Sequence, residues 1–524
     1  MKPYAKIIIV LTFLFGVFSV FKAPGDPDFG WHYKYGEYIA QHGRILRENV
    51  YSYTFTNYQW ANSYWISQVA IYLTHHYLGH LIAGLLFAGI LSASVIFYVK
   101  AVSKNSQPII VLTTLSALLL FVEFSGSGVT GRPMYFSTLF LMFLVAVLFG
   151  DFGKKLLVLP LLFLLWANTH ADFVLGLFIL SLYVVENGGL AVRLKGLLNL
   201  AQKKWIRSLR RGEAERAESV GRSQKNALAS VPAKRTSNLF LVIIGITSLA
   251  VTLINPYGFG LWQTLLKESH PYQFSYISEW VPASTDNVYY FIVYCATLGL
   301  TVSAFIGARH KLPTWYILAL GFFCIASVRA QYFFRIAVIL GIPAFILFWS
   351  NPLADLKNAL SPSLTKKFKV SFLVFLASSA LIISTIFLTD ASQCVKPNYW
   401  IEKQAYPKEA LDFALANNIE GNVFNYYGWG GYMIWQYPQI KTFVDGRMAS
   451  WREGNTSVFE DYIKIVNTPK KNLKILGDYG IGWIVYPTDS EFVKFLKTPN
   501  SGWEEVFTSD ASTLFIRNRS IITP

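Results

Sequence analysis

The sequence predicts a polytopic α-helical membrane protein that ends in a water-soluble α/β domain. Hydrophobic residues make up 53% of the 524 residues and aromatic residues 16%, which is more apolar surface than one soluble core needs. Long apolar runs recur over residues 1–390, as expected of membrane helices. In residues 391–524 short alternating patterns replace them, and such patterns are typical of small helices and strands. The chain therefore divides into a membrane part, 1–390, and a C-terminal domain, 391–524.

The apolar runs of the membrane part predict its helices. A bilayer core about 30 Å thick requires roughly 20 apolar residues in each spanning helix. The runs predict about eleven such helices, and the shorter runs predict that some are broken or re-entrant. No clear cleavage pattern of small residues follows the first run, which is therefore interpreted as a retained signal anchor. The runs lie at 4–21, 80–99, 107–124, 133–150, 156–168, 173–189, 239–254, 288–306, 312–328, 333–349 and 370–389.

Lysine and arginine in the connecting segments predict the orientation, because these residues stay preferentially on the cytoplasmic side. The loop 190–238 is the most basic connection and is expected to be cytoplasmic, where it lies against anionic headgroups. The N-terminus is then cytoplasmic, in an inner or plasma membrane. The C-terminal domain and the first outer loop, 22–66, are predicted to be extracytoplasmic, on the periplasmic side.

Several function classes are disfavoured by the sequence. The formal net charge is +16, but the basic residues stand between apolar runs rather than on an aromatic and basic face, so no nucleic-acid partner is expected. The cysteines have neither disulfide-framework nor zinc-site spacing. The sequence contains no phosphate-cradling Gly-Lys-Ser/Thr loop, dinucleotide fingerprint or nucleophile elbow. These observations argue against ATP-driven transport, nucleotide redox chemistry and serine hydrolysis.

The C-terminal domain is expected to be a compact α/β domain docked on the membrane part. Its apolar residues alternate between helical spacing and short strand-like runs, which is typical of such a fold. The predicted helices are 407–418, 458–466 and 473–479, and the predicted strands are 422–425, 441–444, 482–486 and 512–516.

The first outer loop begins with two carboxylates at the water boundary. Asp26 and Asp28 directly follow the first spanning helix, where they can hold a divalent cation or accept a proton from a substrate hydroxyl. Alternatively, Asp28 only caps the helix that follows. Aromatic and apolar residues at helical spacing predict that this helix lies in the membrane interface with its aromatic rings towards the lipid. They are Trp31, Tyr35, Tyr38 and Ile39.

Three arginines are candidates for binding a lipid phosphate. Arg329 and Arg335 flank a short break between two apolar runs, and Arg132 stands in a short loop before a spanning helix. An ionised side chain at membrane depth is costly, so it is by default a functional-site hypothesis. A guanidinium can bind a phosphate through two parallel hydrogen bonds. Alternatively, these arginines pair with lipid headgroups, or with a helix C-terminus.

His170 and Asp172 occupy a tight outer hairpin between two apolar runs. The imidazole and the carboxylate can complete a metal site with Asp28 or orient the catalytic base. Alternatively, His170 is only a solvated hairpin residue. The hairpin is therefore a second candidate contributor to an outer-face site.

Two motifs of the C-terminal domain are candidate substrate-binding segments. Glycines at 428, 430 and 431 bracket Trp429 and predict a flexible turn on which Trp429 and Tyr426 stack against a sugar. Alternatively, this turn is a packed corner. Asp445 and Arg447 either contact substrate or form an internal ion pair at a strand end.

Taken together, these segments resemble bacterial membrane proteins of the GT-C glycosyltransferase superfamily, which includes oligosaccharyltransferase-like and protein mannosyltransferase-like members. The resemblance extends over nearly the whole chain. It rests on Asp26-Pro27-Asp28, Trp31-His32, Gly36, Gly43, Tyr51–Thr54, Trp60–Trp65, Gly131-Arg132-Pro133, Trp166–His170, Asn255–Gly258, Ser278-Glu279-Trp280, Asn425–Tyr432 and Val444–Arg447.

The resemblance implies a GT-C-like membrane fold and a polyprenyl-phosphate or polyprenyl-diphosphate sugar donor. It implies inverting transfer, with Asp28 as catalytic base or metal ligand and Asp26 as second choice. Glu279 is similar in order and type to a glutamate that serves the site from a later outer loop. The implied cofactor is a divalent cation, Mg²⁺ or Mn²⁺, held by Asp28 and Glu279 with His170, while His32 is a candidate substrate ligand.

The same resemblance assigns acceptor reading to the segment 426–432 and to Asp445. The Trp-Trp-Asp pattern of peptide-accepting members is not matched there. The expected activity is therefore transfer of a sugar to an extracytoplasmic glycan, lipid or protein in the cell envelope. Two alternatives are a transporter or flippase of lipid-linked glycans and a non-catalytic envelope scaffold. In the chain the acids cluster in outer loops rather than at the midplane, which favours the enzyme over the transporter.

Overall fold

A computed structural model describes most of the chain: residues 3–21, 26–103, 131–150, 153–188, 235–267, 273–277, 279–283, 288–309, 312–359, 385, 388–389, 391–392, 394–395, 406–499 and 501–518. The predicted helix 107–124 lies outside the described residues. Most of the predicted helix 370–389 and of the basic loop 190–238 also lie outside them.

The described part of the membrane region is helical. Each predicted run within it coincides with a helix. The helices are α1 (Pro3–Val20), α2 (Phe29–His42), α3 (Trp65–Val102), α4 (Met134–Phe149), α5 (Leu159–Ala167), α6 (Phe173–Asn187), α7 (Arg235–Ala250), α8 (Gly260–Lys267), α9 (Gln273–Tyr276), α10 (Val288–Ala308), α11 (Thr314–Arg329) and α12 (Phe334–Ala359), with 3₁₀ turns at Gly153–Val158, Val251–Leu253 and Gln331–Phe333.

Two of the described segments are long and apolar enough to cross a membrane, Trp65–Val102 and Gln331–Phe348. Shorter apolar helices of 10–17 residues surround them. The shorter ones are Met134–Phe149, Lys155–Ala167, Phe173–Asn187, Leu239–Leu253, Tyr294–Ala308 and Thr314–Arg329. The predicted total of about eleven spanning helices and the orientation of the chain remain predictions.

The long helix α3 bends at Gly79, whose backbone angles, φ 75° and ψ 164°, lie outside the helical region. Glycine adopts such angles because it has no Cβ. Beyond the bend, α3 matches the predicted run 80–99. Before the bend it packs against α2, where a Cβ on Gly36 would overlap the carbonyl oxygen of Gln68. The bend therefore separates the predicted apolar run from the segment that packs against α2.

The C-terminal domain contains a four-stranded sheet with the strand order β1-β2-β4-β3. Strands β1 and β2 are parallel, with Asn425 opposite Val485, while the β2–β4 and β4–β3 pairs are antiparallel. The parallel pair requires a crossover connection, which the helices between β1 and β2 supply. The elements are α13 (Lys408–Ala416), β1 (Asn422–Asn425), α14 (Gly430–Gln436), α15 (Val458–Asn467), α16 (Pro469–Asn472), α17 (Ile475–Asp478), β2 (Ile481–Pro487), α18 (Glu491–Leu496), β3 (Trp503–Thr508) and β4 (Ser512–Arg517).

The predicted strand at 441–444 is wrong. Thr442 forms only an isolated parallel bridge with Ser52 of the first outer loop. The Thr442 N–H donates to the Tyr51 carbonyl at 3.0 Å, and the Tyr53 N–H donates to the Thr442 carbonyl at 3.3 Å. This segment is thus extended because it pairs with a loop from the other end of the chain, rather than with the sheet.

Two further predictions in this domain need correction. The helix expected at 473–479 is shortened to α17, and the short helix α16 precedes it. Strand β3 was not predicted, because the consecutive charges of Glu504 and Glu505 break the apolar alternation. It forms an edge of the sheet, where only one side is paired.

Helix α2 forms where it is predicted, but its rings do not face lipid. Trp31 and Tyr35 are buried in a core that also contains Phe424, Val444 and Trp451 of the C-terminal domain. The predicted orientation of these rings towards the membrane is therefore wrong. The two parts touch through glycine, since a Cβ on Gly30 would overlap the carbonyl oxygen of Gly431. The first outer loop and the C-terminal domain thus share one core.

Candidate active site

The candidate active site begins at the turn formed by Asp26 and Asp28. The backbone N–H of Asp28 donates to Asp26 Oδ1 at 2.8 Å, which fixes the turn. Asp28 stands at the N-cap position of α2, but its side chain accepts no hydrogen bond from the first-turn N–H groups. Instead, its Oδ1 accepts from Trp31 Nε1 at 3.0 Å. The structure therefore does not support the simple capping alternative for Asp28.

The C-terminal domain closes one side of this turn. A Cβ on Gly446 would overlap the Oδ1 atom of Asp28 and would lie 3.3 Å from Trp31 Nε1. A glycine at 446 is what lets the backbone approach the carboxylate so closely. The position of Asp28 is thus set by residues from both ends of the chain.

Arg132 brings the predicted acidic residues together. Its Nε lies 2.9 Å from Asp26 Oδ2, its Nη2 lies 2.6 Å from Asp28 Oδ2, and its Nη1 contacts Glu279 Oε1. Each of the three guanidinium nitrogens binds a different carboxylate. We call these four residues the Arg132 cluster. Their side chains are 13% exposed for Arg132, 9% for Asp26, 22% for Asp28 and 27% for Glu279, so one side of the cluster is open.

The fold fixes the position of Arg132. Gly131 has a φ of 101°, which turns the chain into α4. The Arg132 carbonyl then accepts from the Tyr135 N–H at 3.1 Å, in the first turn of that helix. The side chain therefore projects from a rigid helix start towards the Asp26–Asp28 turn.

The charges of the cluster are strongly coupled. Burial raises the pKa of Asp26 to about 7, because the carboxylates of Asp28 and Glu279 add to the effect and the attraction to Arg132 only partly opposes it. Burial by itself lowers the pKa of Arg132, but the three carboxylates outweigh it and hold that pKa well above the ordinary value. Arg132 is therefore a permanent cation, and Asp26 changes charge near neutral pH.

Glu279 reaches the cluster because its backbone is paired with the segment between α11 and α12. The Tyr332 N–H donates to the Glu279 carbonyl at 2.8 Å, and the Gln331 N–H donates to the Val281 carbonyl at 3.1 Å. The Trp280 ring stacks on the Tyr332 ring at 4.5 Å between centroids. The predicted Glu279 loop is thus joined to the break that the two arginines flank.

A second charged group surrounds Asp172. Its carboxylate accepts from Tyr332 Oη and from Arg335 Nη2 at 2.8 Å, and His170 Nδ1 lies at 3.4 Å. Burial alone raises the pKa of Asp172, but the interactions with His170, Arg335 and Tyr332 outweigh it and lower that pKa well below its usual range. We call these four residues the Asp172 cluster. Through Tyr332 it is connected to the backbone of Glu279.

The three candidate phosphate-binding arginines have different environments. Arg132 lies in the open cluster. Arg335 is buried, and besides Asp172 it donates to the Met134 carbonyl at 3.0 Å and to Thr138 Oγ1 at 2.9 Å. Arg329 ends α11 with an exposed side chain and makes no ion pair with the described part of the chain. Only Arg132 meets the predicted acidic residues.

The histidines do not complete the predicted metal set. His170 lies against Asp172 rather than Asp28. His32 Nδ1 is 3.2 Å from Gln68 Nε2, and burial, with Arg132 and His170 nearby, lowers its pKa well below the ordinary value, so it is neutral. Among the residues that the structure describes, no group of three or more His, Cys, Asp or Glu side chains is arranged to hold a metal. The donor set expected for Mg²⁺ or Mn²⁺ therefore does not fit, since its carboxylates bind a guanidinium.

Asp445 and Arg447 form an internal ion pair. Arg447 Nε and Nη2 each lie 2.7 Å from a different oxygen of Asp445, and Nη1 donates to Tyr35 Oη at 2.8 Å. Both side chains are 0% exposed. Of the two predicted alternatives, contact with substrate or an internal ion pair, the structure favours the ion pair, which has no exposed surface and joins the wall behind Gly446 to α2.

The glycine-rich segment is a packed corner rather than a flexible turn. Tyr427–Trp429 forms a 3₁₀ turn that leads into α14, and Trp429 is buried. A Cβ on Gly430 would overlap the side chain of Asp445, so this glycine serves close packing. Tyr426, which is 37% exposed, is the member of the predicted pair that can reach a ligand.

Sequence reasoning missed two tyrosines at the site. Burial and the nearby carboxylates of Asp28, Asp445 and Glu279 raise the pKa of Tyr427 well above its usual range. Tyr332 links the two clusters. Tyr427 stands in the segment that carried the resemblance, and Tyr332 stands between the two candidate arginines, so position alone was an available signal for both.

Comparison with solved structures identifies the architecture. The archaeal oligosaccharyltransferase AglB from Archaeoglobus fulgidus, solved with an inhibitory peptide and a dolichol-phosphate, matches with a TM-score of 0.51 at 10% identity. The match covers 100% of this chain and 75% of that chain. The fold is oligosaccharyltransferase-like. No protein-family model matches the sequence, and no curated protein is similar to it.

Two further structures of the Archaeoglobus fulgidus oligosaccharyltransferase are similar. The apo form has a TM-score of 0.46 at 11% identity and is matched over 93% of this chain and 70% of that chain. The form tethered to an acceptor peptide containing the NVT sequon has a TM-score of 0.48 at 11% identity, over 100% and 75% of the two chains. The fold shared with the first of these structures agrees with the predicted order of a helical part followed by an α/β domain.

Proposed function

We propose that the protein is an integral membrane glycosyltransferase that transfers a sugar from a polyprenyl-phosphate or polyprenyl-diphosphate donor to an extracytoplasmic acceptor. The observation that carries this proposal is the convergence of Asp26, Asp28 and Glu279 on Arg132 within an oligosaccharyltransferase-like fold. Inverting transfer requires a positioned base and a positive charge at the departing phosphate, and the cluster contains both.

In this proposal Asp28 is the base. It removes the proton of an acceptor hydroxyl, whose oxygen bonds to the anomeric carbon of the sugar while the bond from that carbon to the phosphate oxygen breaks. The lipid phosphate leaves with the electron pair. The Asp28 carboxylate is suited to this role because Trp31 and Arg132 hold its two oxygens while 22% of the side chain stays exposed.

Arg132 is proposed to stabilise the departing phosphate. A guanidinium carries five N–H donors, one on Nε and two on each terminal nitrogen. Three of them point at the carboxylates, so one N–H on each terminal nitrogen is left for a phosphate oxygen. Arg329 is proposed as a second phosphate contact, since it is exposed and ends α11 just before Gln331, whose N–H pairs with the Glu279 loop. Arg335 instead supports the site through Asp172.

The same comparison supports a proposal for the lipid carrier, and the exposed side of the site supports one for the acceptor. AglB was solved with a dolichol-phosphate, and we propose a carrier of this polyprenyl class for the present chain. The acceptor is proposed to be a glycan, lipid or protein that approaches past Tyr426 and the open side of the Arg132 cluster. We propose that the C-terminal domain forms the outer wall of this approach, on the extracytoplasmic side.

Sugar transfer by purified protein tests the proposal. The full chain in lipid nanodiscs is incubated with radiolabelled polyprenyl-phosphate and polyprenyl-diphosphate sugars and an envelope extract, and label in non-lipid or glycolipid products is measured. Asp28→Asn is expected to lower turnover by about 10²–10⁴-fold, the usual contribution of a general base. Asp510→Asn, a change of an exposed carboxylate far along the chain, is the matched control.

Two results would contradict the proposal. Unchanged turnover in Asp28→Asn removes the base role. A wild-type protein that moves either labelled lipid between vesicle leaflets without forming a new glycosidic bond favours the flippase alternative.

A further inference from the structure

We infer that Arg132 is an internal cation that occupies the place of a divalent metal ion, so that the acidic cluster of this protein binds no metal. The catalytic meaning of this inference rests on the proposed glycosyltransferase function, whereas the binding statement rests on geometry alone. Three carboxylates from two separate segments, 26–28 and 279, converge on one point, as ligands of a hard cation would. At that point stands the guanidinium.

The guanidinium occupies one oxygen of each of the three carboxylates, on the side where they face one another. Asp26 and Asp28 bind it through nitrogen–oxygen distances of 2.9 and 2.6 Å, and Glu279 binds its third nitrogen. A cation among these oxygens would lie beside a permanent positive charge in a largely buried site, where repulsion is weakly screened. Guanidinium and divalent ion are therefore mutually exclusive occupants.

Arg132 cannot readily move aside. Its carbonyl is hydrogen-bonded in the first turn of α4, and its side chain is only 13% exposed. A Cβ on the preceding Gly131 would lie 3.0 Å from the Phe29 ring, so the backbone is packed against α2. The cation is thus part of the fold rather than a mobile surface group.

Among the described residues, no neighbouring side chain supplies the missing metal ligands. His170, the expected third ligand, is held at Asp172. In the described ranges no alternative cluster of metal-ligating side chains exists. The consequence is chemical: the charge that holds the acids together is supplied by the chain, cannot be removed by a chelator and does not titrate in the physiological range.

Manganese binding tests the inference without any knowledge of the sugar donor. Full-length wild-type protein, Arg132→Ala and the control Arg44→Ala, which changes an exposed arginine of the first outer loop, are titrated with Mn²⁺, and free Mn²⁺ is followed by electron paramagnetic resonance. Wild type and Arg44→Ala are expected to bind no stoichiometric Mn²⁺, and their Tm is expected to be the same in Mn²⁺ and in EDTA. Arg132→Ala is expected to bind one equivalent and to gain Tm with Mn²⁺, because it leaves three carboxylates around a vacated cation position.

Each other outcome overturns the inference. One equivalent of Mn²⁺ bound by wild type and lost in Asp28→Asn shows a real metal site. No Mn²⁺ bound by wild type or by Arg132→Ala shows that the guanidinium does not stand in a metal position. Should Arg132→Ala fail to fold, Arg132→Gln, which keeps part of the side-chain volume, replaces it in the same titration.

Failure of the inference and failure of the proposed function remain distinguishable. Sugar transfer that is abolished by EDTA and restored by Mn²⁺ supports the enzyme and contradicts the internal cation. Mn²⁺ binding gained in Arg132→Ala, together with no transfer by wild type, supports the internal cation and contradicts the enzyme.

Discussion

The Arg132 cluster and the Asp445–Arg447 pair consist of the same kinds of side chain, and the Asp28–Gly446 contact brings them close together. Around Arg132, three carboxylates share one guanidinium, and the side chains are 9–27% exposed. Around Arg447, one carboxylate binds both ends of the guanidinium, and neither side chain is exposed. An excess of acids at an open face leaves charge for a reaction. The Asp445–Arg447 pair has no excess charge and no exposed surface, so its role is to hold the segment around Gly446 in place.

The largest expected effect belongs to the closed pair and concerns stability. Arg447→Ala leaves Asp445 buried without its partner, which is expected to lower the free energy of unfolding by about 3–5 kcal/mol. The Tm of the detergent-solubilised chain measures this loss. Arg517→Ala, an exposed arginine of the same domain, is expected to change stability by less than about 0.5 kcal/mol. Equal Tm values for the two variants would show that the pair is not structural.

The corresponding change in the open cluster is expected to affect turnover. Arg132→Ala removes the proposed phosphate donors and is expected to lower sugar transfer by about 10²–10³-fold, or about 2.7–4 kcal/mol of transition-state stabilisation. Arg132→Lys keeps a charge but not the fork of nitrogens, so it is expected to recover only part of the rate. If Arg132→Ala transferred sugar at nearly the wild-type rate, Arg132 would have no more part in turnover than Arg447, and the contrast between the open cluster and the closed pair would be wrong.

The contact between the two regions is tested at Gly446. In Gly446→Ala the new methyl group overlaps Asp28 Oδ1, and the carboxylate has to move. A displacement near 1 Å is expected to lower turnover by about 10²-fold. Gly482→Ala is the control, because a Cβ there makes only an ordinary contact at 3.5 Å. Transfer rates that are equal in the two variants would show that the wall does not position the base.

The smallest expected effect is a pH dependence of turnover. The pKa of Asp26 is raised to about 7, so this carboxyl becomes charged as pH rises through neutrality. The added negative charge attracts the proton that leaves the acceptor hydroxyl, and turnover is expected to rise up to about tenfold between pH 6 and 8. The pH–rate profile of Asp26→Asn is expected to lack this inflection. A profile that is unchanged in the variant assigns the inflection to another group.

The same raised pKa has a thermodynamic consequence for folding. In the folded chain Asp26 releases its proton near pH 7, whereas its ordinary value is 3.8. Its contribution to stability is therefore present below the ordinary value and is lost as pH rises towards about 7. Asp172 acts in the opposite direction, because its lowered pKa stabilises the fold above the ordinary value and that stability is lost in acid.

The sequence was sufficient for the helices, because apolar runs of spanning length have few other solutions. It also indicated Asp26, Asp28, Glu279 and Arg132 as candidates. It did not separate Arg132 from Arg335, because both stand beside apolar runs and only tertiary contacts decide which meets the outer acids. Nor did it show that Asp445 and Arg447 are sealed from solvent.

The sequence also did not show which parts of the chain pack against each other. The period of Trp31 and Tyr35 indicates that α2 has a buried face, but it does not say whether lipid or protein covers that face. The segment 441–444 has the pattern of a sheet strand, but it pairs instead with Ser52, which is 390 positions away from Thr442. A local sequence pattern carries no information on contacts between such distant residues. The partners of α2 and of the segment 441–444 therefore could not be predicted from their own sequences.

The contact of Gly446 with Asp28 also bears on biogenesis. The ribosome releases residue 446 long after residues 26–28, so the nascent chain holds the Asp28 turn without its wall for most of its synthesis. Domains generally fold as units and in the order in which they emerge, but here the earliest loop must wait for the latest domain. A partly synthesised chain is thus unable to enclose the Asp28 turn.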